Sequence, residues 1–196
     1  MADFPVIRAV SESVRELLRE HITLSSDPGL ANVPIDLRSP RELREAGVAR
    51  VVSLWLYRVV RNPDLLNLPP ERRGTDEFVR RPLPLELHYL LTPVAQRPDD
   101  EQLLLGRALQ TLHDHASLEG TALRDTLAAS HAELRLVLET LNLEELTRVW
   151  QALQESYQLS VSYLAQVVEV DSAHEPVRRR VVLERHLDHR QILGVS

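Results

Sequence analysis

The eight histidines are the side chains best suited to acid–base or metal chemistry, and some of them fall into two local groups. His113-Asp114-His115 spaces its imidazoles two residues apart. Residues two apart do not share a helix face, so this pair reads as a polar helix end favoured by the dipole. His186-Leu187-Asp188-His189 spaces its imidazoles three apart, which would align them on one helix face. No third ligand follows at a spacing that a zinc site needs. The acidic pairs Glu144-Glu145 and Asp99-Asp100-Glu101 stand where helices begin, and the N-terminal dipole accounts for them. No G-x-S-x-G elbow, G-x-G-x-x-G turn or phosphate-binding G-x-x-x-x-G-K-[ST] loop is present. The sequence therefore offers no catalytic residue, no cofactor-binding residue and no metal ligand.

Arginine is a different matter. All 23 basic residues are arginine, and three clusters stand out: Arg72-Arg73, Arg80-Arg81 and Arg178-Arg179-Arg180. The net charge is -6, so these clusters are expected to meet acidic protein surface rather than nucleic acid. They are the candidate assembly interface. Trp55, Tyr57, Tyr89, Trp150, Tyr157 and Tyr163 hold most of the aromatic area. Core packing is the first reading of them and a protein interface the second.

The 196 residues fit one domain, 1–196, with 43% hydrophobic and 27% charged residues. Cysteine is absent, which excludes disulfides and thiolate metal sites. No apolar run approaches the roughly 18 residues of a membrane span, and the N-terminus lacks the pattern of a signal peptide.

The elements that must position these residues follow from periodicity. Ile7, Val10, Val14, Leu17, Leu18 and Ile22 form one helical stripe, with Glu12–Arg15 and Glu16–Arg19 pairs on the other face. Val33, Ile35 and Leu37 predict a short edge strand. Ser39-Pro40-Arg41-Glu42 has the layout of a capping box, and Gly47 suits a helix C-terminus. Val51 to Arg61 predicts a central strand apolar on both faces. Residues 63–84 read as a long proline- and arginine-rich loop, and its part from Pro69 to Pro84 is the candidate docking segment. Leu85 to Leu91 predicts a strand closed by Thr92-Pro93. Asp99 to His115 predicts a helix capped by Asp99 or Asp100. Glu133 to Glu139 alternates, with Leu134, Leu136 and Leu138 inward. Asn142 to Glu145 suggests a second cap ahead of a Leu143, Leu146, Trp150, Leu153 stripe. Leu159 to Val170 is a further strand. The expected core comprises Leu54, Leu56, Leu134, Leu136, Leu138 and Val168 in the sheet. Its helical part comprises Val14, Leu18, Leu105, Leu109, Leu146 and Trp150. Residues 116–131 show no clear pattern, and Val177 to Leu187 reads as a final edge strand or as a C-terminal arm, 174–196. The sum is an α+β fold with a mixed β-sheet packed against helices.

Five blocks, in order, resemble one bacterial family. They are SLWLYRVVRNPDLLN (Ser53 to Asn67), RPLPLELHYLLTP (Arg81 to Pro93), EQLLLGRALQTLHDH (Glu101 to His115), ELRLVLETLNLEELTRVWQAL (Glu133 to Leu153) and YQLSVSYLAQVVEVDS (Tyr157 to Ser172). The chain is similar to the N-terminal domain of cap, or tail-terminator, proteins of phage-tail-like extracellular contractile injection systems. The resemblance implies a structural subunit, without catalysis or cofactor, that forms a ring on the baseplate-distal end of a tube and sheath. It implies that the subunit stops their growth. Six-fold tails imply a hexamer with head-to-tail contacts that close. The implied partners are further copies of the chain and the terminal tube or sheath proteins. The implied location is the bacterial cytoplasm during assembly, then a particle released or retained. A monomeric adaptor or chaperone of tail assembly is the competing reading, and a small hydrolase or metal-dependent enzyme stands behind it.

Overall fold

A computed structural model describes residues 4–65, 71–73, 77–79, 82–128, 133–170 and 177–178. The helical stripe near the N-terminus becomes α1, Val6–Leu18, continued by a π-helical turn over Arg19–Thr23. Val10, Val14, Leu17, Leu18 and Ile22 are buried, and Glu12–Arg15 and Glu16–Arg19 pair on the outer face. Strand β1 (Ile35–Asp36) runs parallel to β2 (Val51–Arg61) at the edge of the sheet.

Between them lies α2, Pro40–Glu45, whose start is the expected capping box: the Ser39 hydroxyl accepts from the Glu42 amide, and the Glu42 carboxylate accepts from the Ser39 amide. Its end closes on Gly47 at φ 68°, with the Gly47 amide on the Arg44 carbonyl and the Val48 amide on the Leu43 carbonyl. Only a residue at ease with positive φ completes this closure cheaply.

The long segment after β2 is not a plain loop. It carries β3 (Glu71–Arg73) and β4 (Glu77–Val79), an antiparallel pair joined by β9 (Val177–Arg178) in a small three-stranded sheet. Three-residue strands are too short to show alternation, and their third partner lies about a hundred residues away in sequence.

Strand β5 runs Leu83–Val94, longer at both ends than expected, with Pro84 and Pro93 inside it. Both prolines are tolerated because each stands near the end of a pairing. Pro84 is opposite Glu169 of β8 (Val161–Val170) and, on its other side, accepts from the Asn62 amide just past the end of β2, while Pro93 faces only β2. Helix α3 (Pro98–Asp114) begins at Arg97, not on an aspartate side chain. Asp99 instead receives two hydrogen bonds from Arg97. The patternless stretch resolves into β6 (Ser117–Glu119) and two 3-10 turns, Gly120–Ala122 and Asp125–Leu127. Strand β7 (Glu133–Leu138) and helix α4 (Leu143–Ala152) follow, the latter with an Asn142–Glu145 capping box.

The main sheet has the order β1-β2-β5-β8-β7-β6, antiparallel apart from β1 with β2. One face packs Val52, Leu54, Leu87, Tyr89, Leu91, Leu134, Leu136 and Ala165 against α1 and α3, forming the main core. On the other face Leu90 meets Trp150 and Leu153 of α4, with Trp55 and Tyr57 alongside. Smaller still is the Leu43, Val51, Val94 cluster under α2.

Most of the expected core is buried. Leu54, Leu134, Leu136, Val14, Leu18, Leu105 and Trp150 are inside, and Leu56, Leu109 and Leu146 are partly covered. Leu138 is a correction: it is 50% exposed, because β7 outruns β6 there. Val59 corrects the expectation of a strand covered on both faces. A bulge between Leu56 and Arg58 shifts the register, and Val59 beyond it is 44% exposed. Leu143, at the first turn of α4, is exposed as well. The side chain of Val168 lies outside the described residues.

Candidate assembly surface

The α4 side of the sheet carries a dense polar arrangement. Tyr57 from β2, His88 from β5, Ser162 from β8 and Glu139 just past β7 meet there. The Ser162 hydroxyl donates to Glu139 Oε2 at 2.5 Å, so Tyr57 donates to Ser162 Oγ at 3.0 Å. His88 Nδ1 donates to Glu139 Oε1 at 2.9 Å. Glu139 thus ties three strands together from the end of a fourth. Burial pushes the Tyr57 phenol above its ordinary pKa, and the Ser162 hydrogen bond offsets this only in part.

These residue types could make a hydrolytic triad, but their order is wrong for one. A serine nucleophile needs its hydroxyl on the imidazole. Here Glu139 stands between Ser162 and His88, and His88 Nε2 is buried without a hydrogen-bond partner. The arrangement is a brace for the sheet. Sequence reading did not single out the brace residues as a set, because they are brought together from four separated segments. Only the outward phase of Glu139 hinted at it.

The other polar contacts are braces too. Tyr89 donates to Ser11 Oγ at 2.7 Å while Ser11 donates to the Ile7 carbonyl, and burial drives the Tyr89 phenol well above its ordinary pKa. Trp150 Nε1 donates to Ser160 Oγ at 3.0 Å. Arg41 of α2 donates to the Leu153 carbonyl and to Gln154, locking α2 to the end of α4.

The histidine groups separate. His113 is exposed on α3, while the His115 ring turns back onto the Thr111 carbonyl and packs 4.8 Å from the His21 ring. His186 and His189 lie outside the described residues. Among the described residues, no three histidine, aspartate or glutamate side chains converge as a metal site would require. The acidic pairs serve their helices: Glu144 bonds Arg148, Glu145 caps α4, and Asp100 faces Arg50.

Of the seven candidate arginines, Arg72 and Arg73 lie on β3 and Arg178 on β9. The register brings them to one small sheet, where Glu77 of β4 pairs with Arg73 on one side and Arg178 on the other. Arg80, Arg81, Arg179 and Arg180 lie outside the described residues. The two described residues of the expected C-terminal strand, Val177 and Arg178, therefore pair within this chain.

Among the described residues, no helix is long and apolar enough to cross a membrane. Two solved structures share the fold. One is the sheath/tube terminator, in the extended state, of an extracellular contractile injection system called PVC, with TM-score 0.61 and 20% identity; the match covers 96% of this chain and 65% of that one. The other is the tube-terminating cap of the anti-feeding prophage, with TM-score 0.60 and 17% identity, covering 91% of this chain and 60% of that one. The chain thus spans less than two thirds of either structure's length. No curated protein gives a significant match. The family model of the Pvc16 N-terminal domain matches residues 9–184. With the mixed sheet, the helices on both its faces and nine-tenths of the chain accounted for, this protein belongs to the Pvc16 N-terminal domain family.

Proposed function

We propose that this chain is a structural capping subunit of a contractile injection particle. It seats on the baseplate-distal end of the tube, with or without the sheath, and ends their growth. The observation that carries this reading is the family match over residues 9–184, joined to a shared fold with two terminator proteins. The subunit acts as a ring of identical copies, six where the tail is six-fold, and its partners are itself and the last tube or sheath ring. Its role is structural rather than catalytic: the Tyr57, Ser162, Glu139 and His88 cluster is spent on holding strands together. Assembly takes place in the bacterial cytoplasm, ahead of release or retention of the particle.

A growing tube presents on its last ring the surface that would accept the next. A cap must match that surface on one side and offer nothing like it on the other. The arginines of the small sheet, Arg72, Arg73 and Arg178, with Arg80, Arg81, Arg179 and Arg180, are the proposed contacts to acidic surface on the tube or sheath. The test is the length distribution of tubes and sheaths in particles made with and without this chain. Capping predicts a narrow distribution with the chain and a broad, overlong one without it. Unchanged lengths in its absence would overturn the reading.

A further inference from the structure

The two edges of the main sheet are stepped, and the steps are complementary. Strand β1 pairs with Val52 and Ser53, which leaves the Leu54 amide on the Asp36 carbonyl, so among the described residues β2 has no outer strand from Trp55 to Arg61. At the opposite edge, β6 pairs with residues Glu133 to Arg135 of β7 and leaves Val137 and Leu138 uncovered, 42% and 50% exposed. The strand register aligns Leu56, Tyr89, Tyr163 and Leu138 in one row across the sheet. Measured from that row, β1 stops three residues to one side, at Ser53, and β6 starts three residues to the other side, opposite Arg135. One edge is therefore filled below and open above, and the other is filled above and open below.

The open part of β2 has its backbone ready. The Val52 amide donates outward to the Pro34 carbonyl, and the Asn62 amide donates inward to the Pro84 carbonyl. The alternation between those two points, reset by the bulge, turns the amides of Leu56, Val59 and Arg61 away from β5 and beyond the reach of β1. An open groove of about 530 Å3, between Arg15, the segment from Ile35 to Arg38, Glu42, Trp55 and Leu56, keeps this edge accessible. Such an edge recruits another strand. Charge selects the partner. Arg58 and Arg61 on the β2 side are exposed, as are Asp114 and Glu119 on the β6 side, and none of the four has an ion pair among the described residues. Glu119 and Arg58 also share the α4 face of the sheet. Glu119 is opposite Glu133, in phase with Glu139, and Arg58 is opposite His88.

We propose that copies of this chain join head to tail through these edges, resting on the reading of the chain as a ring-forming cap. β6 of one copy adds in parallel to the open part of β2 of the next, directly above β1. That β1 in turn fills the step below β6, against Val137 and Leu138. The contact is heterologous and leaves each copy with one donor edge and one acceptor edge, as ring closure requires.

The chain has no cysteine, so introduced thiols report alone. The double variant Arg58→Cys, Glu119→Cys, oxidised at increasing protein concentration, should give a covalent ladder on a non-reducing gel that ends at one closed size. Each single variant should stop at dimers. Val59→Pro removes one outward amide at an exposed edge position, which the monomer tolerates. It should abolish the oligomer in sedimentation while leaving thermal unfolding unchanged. Arg58→Glu should weaken association by up to about fivefold, and Glu119→Arg in the same chain should restore it. A double variant that forms no ladder, an oligomer indifferent to Val59→Pro, or a chain monomeric at every concentration would each overturn the joint. Length control of particles is read separately. A missing ladder with intact length control removes the joint and leaves capping, and a ladder without length control does the reverse.

Discussion

The two faces of the main sheet are built on different principles. Under α1 and α3 the contact is mainly apolar, with Leu18, Leu87, Leu91 and Leu104 fully buried and the Tyr89–Ser11 hydrogen bond set among them. Under α4 the buried apolar cluster is small, Leu90, Trp150 and Leu153 with Trp55, Leu146 and Val149 partly covered, and beside it stands the Tyr57, Ser162, Glu139, His88 brace. Apolar burial is non-directional and holds the fold up; hydrogen bonds between strands fix how those strands sit relative to each other. The first face supplies stability. The second sets how the strands of the sheet sit relative to each other.

Breaking each face should show the difference. Leu18→Ala or Leu87→Ala should cost about 2–5 kcal/mol in denaturant unfolding, through lost burial and a residual cavity. Glu139→Ala leaves the Ser162 hydroxyl and His88 without their acceptor and should cost less, about 1–3 kcal/mol. The sharper readout for Glu139→Ala is amide exchange at the end of β7, which should rise while α1 stays protected. Loss of protection at α1 to the same degree would merge the two faces into one unit. Asn142→Ala, removing the cap of α4, should cost about 1 kcal/mol and loosen only the second face.

Acid should act on the outer surface of the first face and its neighbouring edge. The Arg19 hydrogen bond holds the Glu16 carboxyl below its ordinary value, and Arg38 does the same for Asp36. A carboxyl lowered by folding contributes stability that is complete above its unfolded pKa, 4.5 for Glu16 and 3.8 for Asp36. That contribution is lost as pH falls through the lower folded value. Stability should thus fall with pH in that window, and Glu16→Gln with Asp36→Asn should flatten the slope. Smallest of all, Arg148→Ala breaks an exposed pair with Glu144 and should change stability by less than about 0.5 kcal/mol.

The same contrast explains what the sequence revealed. The α1 stripe, the Ser39 and Asn142 caps and the Leu134–Leu136 phase are local signals, written within a few residues, and the structure has them. Leu138 and Leu143 carry the same local signal and are exposed, because burial there depends on whether a distant element arrives. The bulge after Leu56 inverts the phase of β2, and no residue in that run announces it. The β3–β4–β9 sheet needs partners from residues 71 and 178, so its arginines read as separate clusters. The brace was the least legible feature, since its four side chains come from four segments with no shared spacing. The family resemblance was legible because it rests on the order of whole blocks.

A capping role requires the chain to sit at one end of a particle. Cryo-electron microscopy of assembled particles carrying this chain with an added density label tests that directly. The prediction is label density at one end only, opposite the baseplate, as a closed ring matching the symmetry of the tube. Density along the shaft, at the baseplate, or absent from particles of normal length would contradict it.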